Sequence, residues 1–118
     1  MSDFIWHNPR CSKSRQTLAL IEQHGHPIEV VEYLKTPPQA DEIQAAGAGL
    51  GLALTQIIRH KEALFSELGL SLQDARSEDE WAALLAQNPK LIERPIVRIG
   101  GRYAIGRPPE NVTALLPA

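Results

Sequence analysis

Cys11 is the single cysteine of this 118-residue chain, and it lies in a segment rich in positive charge. The segment, residues 7–15, reads HNPRCSKSR and joins an apolar stretch at residues 3–6 to a predicted helix at residues 14–24. The positive end of a helix dipole and neighbouring cations stabilise a thiolate, and the same arrangement binds anions. We therefore predict a nucleophilic thiolate with a pKa well below that of a free thiol. The alternative is a small buried core residue.

The spacing around Cys11 excludes three familiar cysteine sites. Position 14 is Ser14, so the dithiol motif C-x-x-C is absent. Arg15 follows four residues after Cys11 and position 17 is Thr17, so the C-x5-R loop of cysteine phosphatases is absent. One cysteine and scattered histidines do not supply the usual four zinc ligands, and we expect no metal and no bound cofactor. Because no second thiol exists, an external thiol must resolve any covalent intermediate on Cys11.

Two arginines stand out by their context. Arg94 precedes Pro95 at the entry to a predicted strand, where a cis peptide bond would turn residue 94 toward the Cys11 loop. Arg107 follows the last predicted strand. Guanidinium groups that converge on a thiolate would bind a tetrahedral oxyanion and neutralise charge that develops on it.

Hydrophobic periodicity and turn residues predict the elements that position these residues. Strands are predicted at residues 4–6, 28–33, 95–99 and 102–105, with a Gly100-Gly101 hairpin turn. Between residues 40 and 88 the pattern is helical, with a start at Thr36 and Pro37, a break near residues 47–49 and a capping box at Ser77. A last helix is predicted to start at residues 106–109 and to end near residue 116.

The predicted order is β-α-β, a block of helices, then β-β-α, with the first two strands parallel. This order is typical of an α/β, thioredoxin-like fold with a four-stranded mixed sheet. We expect a single domain over residues 1–118, with a helical insertion at about 39–90. The net charge of −2 argues against nucleic-acid or membrane-surface binding. The N-terminus lacks a signal peptide and the lone cysteine suits a reducing compartment, so we expect a cytoplasmic protein.

The chain carries the pattern HNPxCxxSRxTL at residues 7–18, with YLxxPP at 33–38, IIR at 57–59 and RPIV at 94–97. In these motifs it resembles the glutaredoxin-coupled arsenate reductase family, the ArsC type. The loop here reads CSKS at residues 11–14, where members of established activity carry a Cys-Gly-Thr-Ser type of loop. The resemblance implies arsenate or a similar oxyanion as substrate, glutathione as co-substrate and glutaredoxin as partner.

The resemblance also implies roles for particular residues. Cys11 would be the nucleophile, and the three oxyanion-binding arginines would be Arg59, Arg94 and Arg107. Predicted supporting residues are His7, Ser14, Arg15 and Pro95. His7 has two interpretations: a loop histidine that donates to a backbone carbonyl, or a partner that favours the Cys11 thiolate.

Two alternatives differ from arsenate reduction. One is a glutathione-linked reductase that acts on another substrate with the same thiol chemistry. The other is a protein-binding module similar to the Spx-type transcriptional regulators, which bind RNA polymerase and often carry a C-x-x-C switch. Ser14 in place of a second cysteine argues against such a switch, and the presence of Arg59, Arg94 and Arg107 favours an oxyanion enzyme.

Overall fold

The computed structural model describes residues 3–117, and these divide into two compact units. The first unit combines residues 3–36 with residues 94–117, and the second is Pro37–Glu93. The second unit holds the region of the predicted insertion at about 39–90, and the single-domain organisation stays a prediction. Among the described residues, no helix is long and apolar enough to cross a membrane.

The first unit is built on a four-stranded mixed sheet. Its elements are β1 (Phe4–Trp6), α1 (Ser12–Gln23), β2 (Glu29–Val31), β3 (Ile96–Ile99), β4 (Arg102–Ile105) and a 3₁₀ helix (Pro109–Leu115). The strand order is β2-β1-β3-β4, in which β1 and β2 are parallel and the other two pairs are antiparallel. The predicted α/β, thioredoxin-like class with a four-stranded mixed sheet is confirmed.

The strand register brings one end of all four strands to a common edge. Trp6, the last residue of β1, pairs with the last residue of β2 and with Ile96, the first residue of β3. Ile96 in turn pairs with Ile105, the last residue of β4. The segments that follow β1 and β4 and the segment that precedes β3 therefore leave the sheet side by side. These segments carry the predicted nucleophile and two of the predicted arginines.

A hydrophobic core fixes α1 against this sheet. Ile5 and Val97 of the central strands, Ile21 of α1 and Val112 of the 3₁₀ helix are fully buried and form one cluster. Burying a side chain of this size stabilises a fold by about 1.5–3 kcal/mol. The packing therefore holds the N-terminus of α1, next to Cys11, at a defined place relative to the strand ends.

The predicted hairpin between β3 and β4 is confirmed. Gly100 and Gly101 have φ angles of 61° and 80°, the left-handed region that a two-residue turn of this kind requires and that glycine adopts without strain. The Gly100 N–H donates to Asp3 Oδ1 at 3.0 Å. This turn lies at the sheet edge opposite the one that carries Cys11.

The second unit is mainly helical, as the sequence predicts. Residues outside the helices form one isolated antiparallel bridge, between Ile58 and Ile92, in the part of the chain that the structure describes. The unit contains α2 (Ala40–Leu50), α3 (Ala63–Glu67), α4 (Glu78–Gln87) and the 3₁₀ helices Leu54–Ile57 and Pro89–Leu91.

Two predictions about α2 are wrong. The helix does not start at Thr36 and Pro37, because Gln39 is its N-cap and the Gln39 N–H donates to Glu42 Oε1 at 2.8 Å. The expected break at residues 47–49 does not occur either, and the helix continues to Leu50. Residues 43, 46 and 47 lie on its buried face, and this packing outweighs the low helix propensity of glycine.

Other boundaries shift by a few residues. Helix α1 begins at Ser12, two residues before the predicted start, and β2 is limited to Glu29–Val31 within the predicted span of 28–33. The last helix is a 3₁₀ helix rather than an α-helix. Local signals locate such elements well but fix their ends poorly, because the ends depend on tertiary packing.

We predict that Ser77→Ala destabilises the second unit by about 1 kcal/mol, because it removes the N-cap of α4. Ser77 Oγ accepts from the Glu80 N–H at 3.1 Å, and Glu80 Oε1 accepts from the Ser77 N–H at 3.0 Å, which is the predicted capping box. Urea denaturation followed by circular dichroism measures the change. Ser66→Ala, at an exposed helical position, is the control and should be nearly neutral. Equal stability of both variants would contradict the assigned cap.

Candidate active site

Cys11 lies at the predicted junction between a strand and a helix. It is the N-cap residue of α1, with extended backbone angles, and the residue is only 8% exposed. The Cys11 N–H donates to the Asn8 carbonyl at 3.0 Å, and the Cys11 carbonyl accepts from the Arg15 N–H at 3.0 Å. The turn that these bonds close presents the sulfur at the positive end of α1.

The electrostatic surroundings of Cys11 favour its thiolate. Burial alone would raise the pKa of the Cys11 thiol, but the backbone N–H of Ser14, the guanidinium of Arg94, the backbone N–H of Lys13 and the guanidinium of Arg107 outweigh it and hold this pKa below its ordinary value of 9.0. The Cys11 sulfur accepts no capping hydrogen bond from the backbone N–H groups of α1, so these groups favour the thiolate through their partial positive charges. The direction of the predicted pKa shift is confirmed, and its size stays a prediction.

The positive charge that lowers the pKa of Cys11 comes from one of the two predicted sources. Arg94 and Arg107, which the sequence singled out by their context, supply the cationic influences on the sulfur. The side chains of Arg10, Lys13 and Arg15 in the segment 7–15 are not among the main causes. Lys13 contributes through its backbone N–H, and Arg15 Nη1 donates to the Pro9 carbonyl at 2.9 Å. Arg15 thus stabilises the loop before Cys11 instead of facing the thiol.

Arg107 is held between Cys11 and Arg94. Its Nε donates to the Arg94 carbonyl at 2.7 Å, and its Nη2 donates to Cys11 Sγ at 3.6 Å. The Arg94–Pro95 peptide bond is cis, as predicted. The Arg107–Pro108 bond is cis as well, which the sequence analysis did not foresee. Two guanidinium groups from the open end of the β3–β4 hairpin thus act on one sulfur.

A close packing contact fixes the chain just before Arg107. The Gly106 N–H donates to the Pro95 carbonyl at 2.9 Å, and the Gly106 carbonyl lies 3.3 Å from Thr17 Oγ1 on α1. A Cβ atom at position 106 would lie 2.5 Å from Thr17 Oγ1 and 2.8 Å from Pro95 Cγ. Gly106 and Thr17 are positioning residues that were not predicted from the sequence. The one sequence feature that could have indicated the close contact is a glycine directly between β4 and Arg107.

His7 and Ser14 form a buried pair in the loop. His7 Nδ1 lies 2.7 Å from Ser14 Oγ, which also accepts from the Asn8 N–H at 3.0 Å. Burial lowers the pKa of His7, with a further lowering by Arg15 against the opposing influence of Glu32 and Glu22. The hydrogen-bond partner of the His7 ring is thus a side-chain hydroxyl instead of a backbone carbonyl. A direct effect of His7 on the thiolate stays a prediction.

Arg59 belongs to the second unit. Its Nη1 lies 3.3 Å from Glu62 Oε1, and its backbone N–H donates to the Leu91 carbonyl at 2.7 Å. Within its own unit the side chain is therefore oriented by a carboxylate three residues further along the chain. A role for Arg59 in oxyanion binding stays a prediction. Elsewhere in residues 3–117, no three His, Cys, Asp or Glu side chains gather as metal ligands would.

Comparisons with known proteins place this geometry in a family. The model of the ArsC family matches residues 6–115. An arsenate reductase of Neisseria meningitidis serogroup A is 46% identical over 113 residues, which are 95% of this chain and 96% of the relative. An arsenate reductase of Haemophilus influenzae is 41% identical over 98% of this chain and all of the relative.

A solved structure agrees with these relatives. The arsenate reductase from Vibrio cholerae superposes with a TM-score of 0.90 at 46% identity, over 98% of both chains. The match spans almost the whole chain, so it includes both the first unit with Cys11 and the helical second unit. The chain belongs to the ArsC family.

We predict that Arg107→Gln raises the pKa of Cys11, because it removes a positive charge 3.6 Å from the sulfur. Only the thiolate reacts with iodoacetamide, so the pH midpoint of alkylation measures this pKa. In the wild type the midpoint should lie below that of a free thiol, and in Arg107→Gln it should move up. The control is Arg102→Gln, which removes a guanidinium that donates to the Ala114 carbonyl at the other end of β4. A wild-type midpoint at the free-thiol value would refute the activated thiol.

A second prediction concerns Gly106. Gly106→Ala should force residues 105–107 away from α1, with a destabilisation of about 1–3 kcal/mol and an upward shift of the Cys11 alkylation midpoint. Adding Thr17→Ala removes two of the three atoms that the new methyl group would meet. The double variant should therefore recover part of the wild-type midpoint. If Gly106→Ala leaves both stability and midpoint unchanged, Gly106 does not position Arg107.

Proposed function

We propose that this chain is a thiol-dependent arsenate reductase, an oxidoreductase that uses Cys11 as its nucleophile. The observation that carries the proposal is the Cys11 sulfur with a lowered pKa, 3.6 Å from a guanidinium that is itself anchored to Arg94. Relatives named arsenate reductase are 41–46% identical over nearly the whole chain, which supports arsenate as the substrate. In this proposal the reaction takes place in the cytosol.

The first step binds arsenate and forms a covalent adduct. Arg94 and Arg107 hold the oxyanion through charge-assisted hydrogen bonds, which planar guanidinium groups form in pairs. Arg59 supplies a third cation in this proposal. The Cys11 thiolate attacks arsenic, an arsenic–oxygen bond breaks and the oxygen leaves as water after protonation. The two arginines stabilise the negative charge that builds on the remaining oxygens.

The second step needs an external reductant, because the chain has one cysteine. Glutathione attacks the Cys11 sulfur of the adduct, a disulfide bond forms and the sulfur–arsenic electron pair passes to arsenic. Arsenic is reduced from the pentavalent to the trivalent state, and arsenite leaves after it takes up the thiol proton. The two sulfurs lose the two electrons that arsenic gains. A glutaredoxin then attacks the mixed disulfide and returns Cys11 to the thiol.

The proposal predicts arsenate-dependent oxidation of glutathione in the presence of glutaredoxin. Coupling to glutathione reductase makes the reaction visible as loss of NADPH absorbance. Cys11→Ser should abolish it, and Arg94→Gln or Arg107→Gln should lower kcat/KM for arsenate by about 10²–10³-fold, the usual cost of one charge-stabilising donor. Arg102→Gln is the matched control and should keep the wild-type rate.

Two results would overturn the proposal. Turnover that survives in Cys11→Ser would exclude a covalent step on this sulfur. Absence of arsenate turnover with every thiol tested, while Cys11 is still alkylated at low pH, would point instead to the same thiol chemistry on another substrate.

A further inference from the structure

A cavity lies directly beside the loop that precedes Cys11. Its volume is about 280 Å³, and it is lined by residues 7–10 and by Glu32, Leu34 and Lys35, which follow β2. The site described above does not use this cavity. Because β1 and β2 are parallel, their carboxyl ends meet there, and ligands of α/β proteins commonly bind outside such strand ends.

The cavity and the two arginines approach Cys11 from different sides of β1. In the strand order β2-β1-β3-β4, the cavity lies on the β2 side, whereas Arg94 precedes β3 and Arg107 follows β4. An oxyanion held by the arginines would therefore leave the cavity open. A second molecule seated in it would lie beside residues 7–10, on the side of the Cys11 loop away from the two arginines.

The residues that line the cavity provide positive charge, negative charge and apolar surface. Arg10 and Lys35 are exposed cations, and Lys35 Nζ lies 3.4 Å from Glu32 Oε1. Pro9 and the exposed Leu34 add apolar surface. A ligand with a carboxylate, an ammonium and a short aliphatic chain matches this set, because the cations bind the carboxylate and Glu32 accepts from the ammonium.

We propose that this cavity binds the γ-glutamyl end of glutathione during the reductive step, an inference that rests on the proposed function. That end carries the carboxylate, the ammonium and two methylene groups of an amino acid, and the thiol follows on the next residue. A cavity of 280 Å³ lies just below the range of about 300–1,000 Å³ that drug-sized ligands occupy. It therefore suits one end of a tripeptide, with the cysteinyl part placed over Cys11.

The first arm of the test measures binding without chemistry. S-methylglutathione, which has no free thiol, is titrated into the ¹⁵N-labelled wild-type protein. Saturable shifts should appear at the amides of residues 8, 10 and 32–35. Lys35→Gln and Glu32→Gln should each raise the dissociation constant about fivefold, which corresponds to the upper end of what an exposed ion pair contributes. The matched control, Lys61→Gln in the second unit, should bind as the wild type does.

The second arm compares two thiols in arsenate turnover. 2-Mercaptoethanol has no ammonium or carboxylate, so it cannot use the charges of the cavity. Lys35→Gln and Glu32→Gln should each lower the ratio of kcat/KM for glutathione to kcat/KM for 2-mercaptoethanol about fivefold. The cause should be a higher KM for glutathione. Lys61→Gln should leave this preference unchanged.

The two arms separate this inference from the proposed function. Shifts confined to residues 94–107, or an unchanged thiol preference in both variants, would overturn the cavity as the glutathione site even if arsenate is reduced. If no thiol supports arsenate reduction, the proposed function fails, and the titration alone decides whether the cavity binds the γ-glutamyl group.

Discussion

The contact between Arg107 and Cys11 is the interaction on which the site depends. A buried thiol resists ionisation, and the N–H groups at the start of α1, together with the charges of Arg94 and Arg107, reverse this effect and lower its pKa. Arg107 is able to act because its Nε is fixed on the Arg94 carbonyl, so one guanidinium binds the backbone of the second arginine and also faces the sulfur. This geometry is possible because the strand register brings the end of β1, the start of β3 and the end of β4 to the same edge of the sheet.

The packing of Gly106 shows how the rest of the first unit serves that contact. The glycine lies between Thr17 on α1 and Pro95 before β3, with no room for a side chain. The core beneath it, from Ile5 to Val112, holds α1 on the same sheet. Packing and the surroundings of the thiol are thus linked in this unit, since residues that pack α1 onto the sheet lie directly beside Arg107, whose guanidinium contacts the Cys11 sulfur.

The sequence predicted the parts of the site that depend on local signals. Cys11 at a strand-to-helix junction, the cis peptide before Pro95 and the Gly100-Gly101 turn all follow from residue types within a short segment. Arg94 and Arg107 also stood out by their context, but the sequence did not show that they act on the thiol more strongly than the basic residues next to it, because Arg107 is 96 positions from Cys11. The close approach at Gly106 and the cavity beside β2 arise only when distant segments fold together, so the sequence offers no signal for the cavity and only the glycine before Arg107 for the close approach.

A crystal structure of the protein with bound arsenate tests the central claim most directly. The expected result is arsenic bonded to Cys11 Sγ, with its oxygens about 2.7–2.9 Å from guanidinium nitrogens of Arg94 and Arg107. An oxyanion bound elsewhere on the chain, with the sulfur unmodified and both guanidinium groups turned away from it, would contradict the assignment of this site.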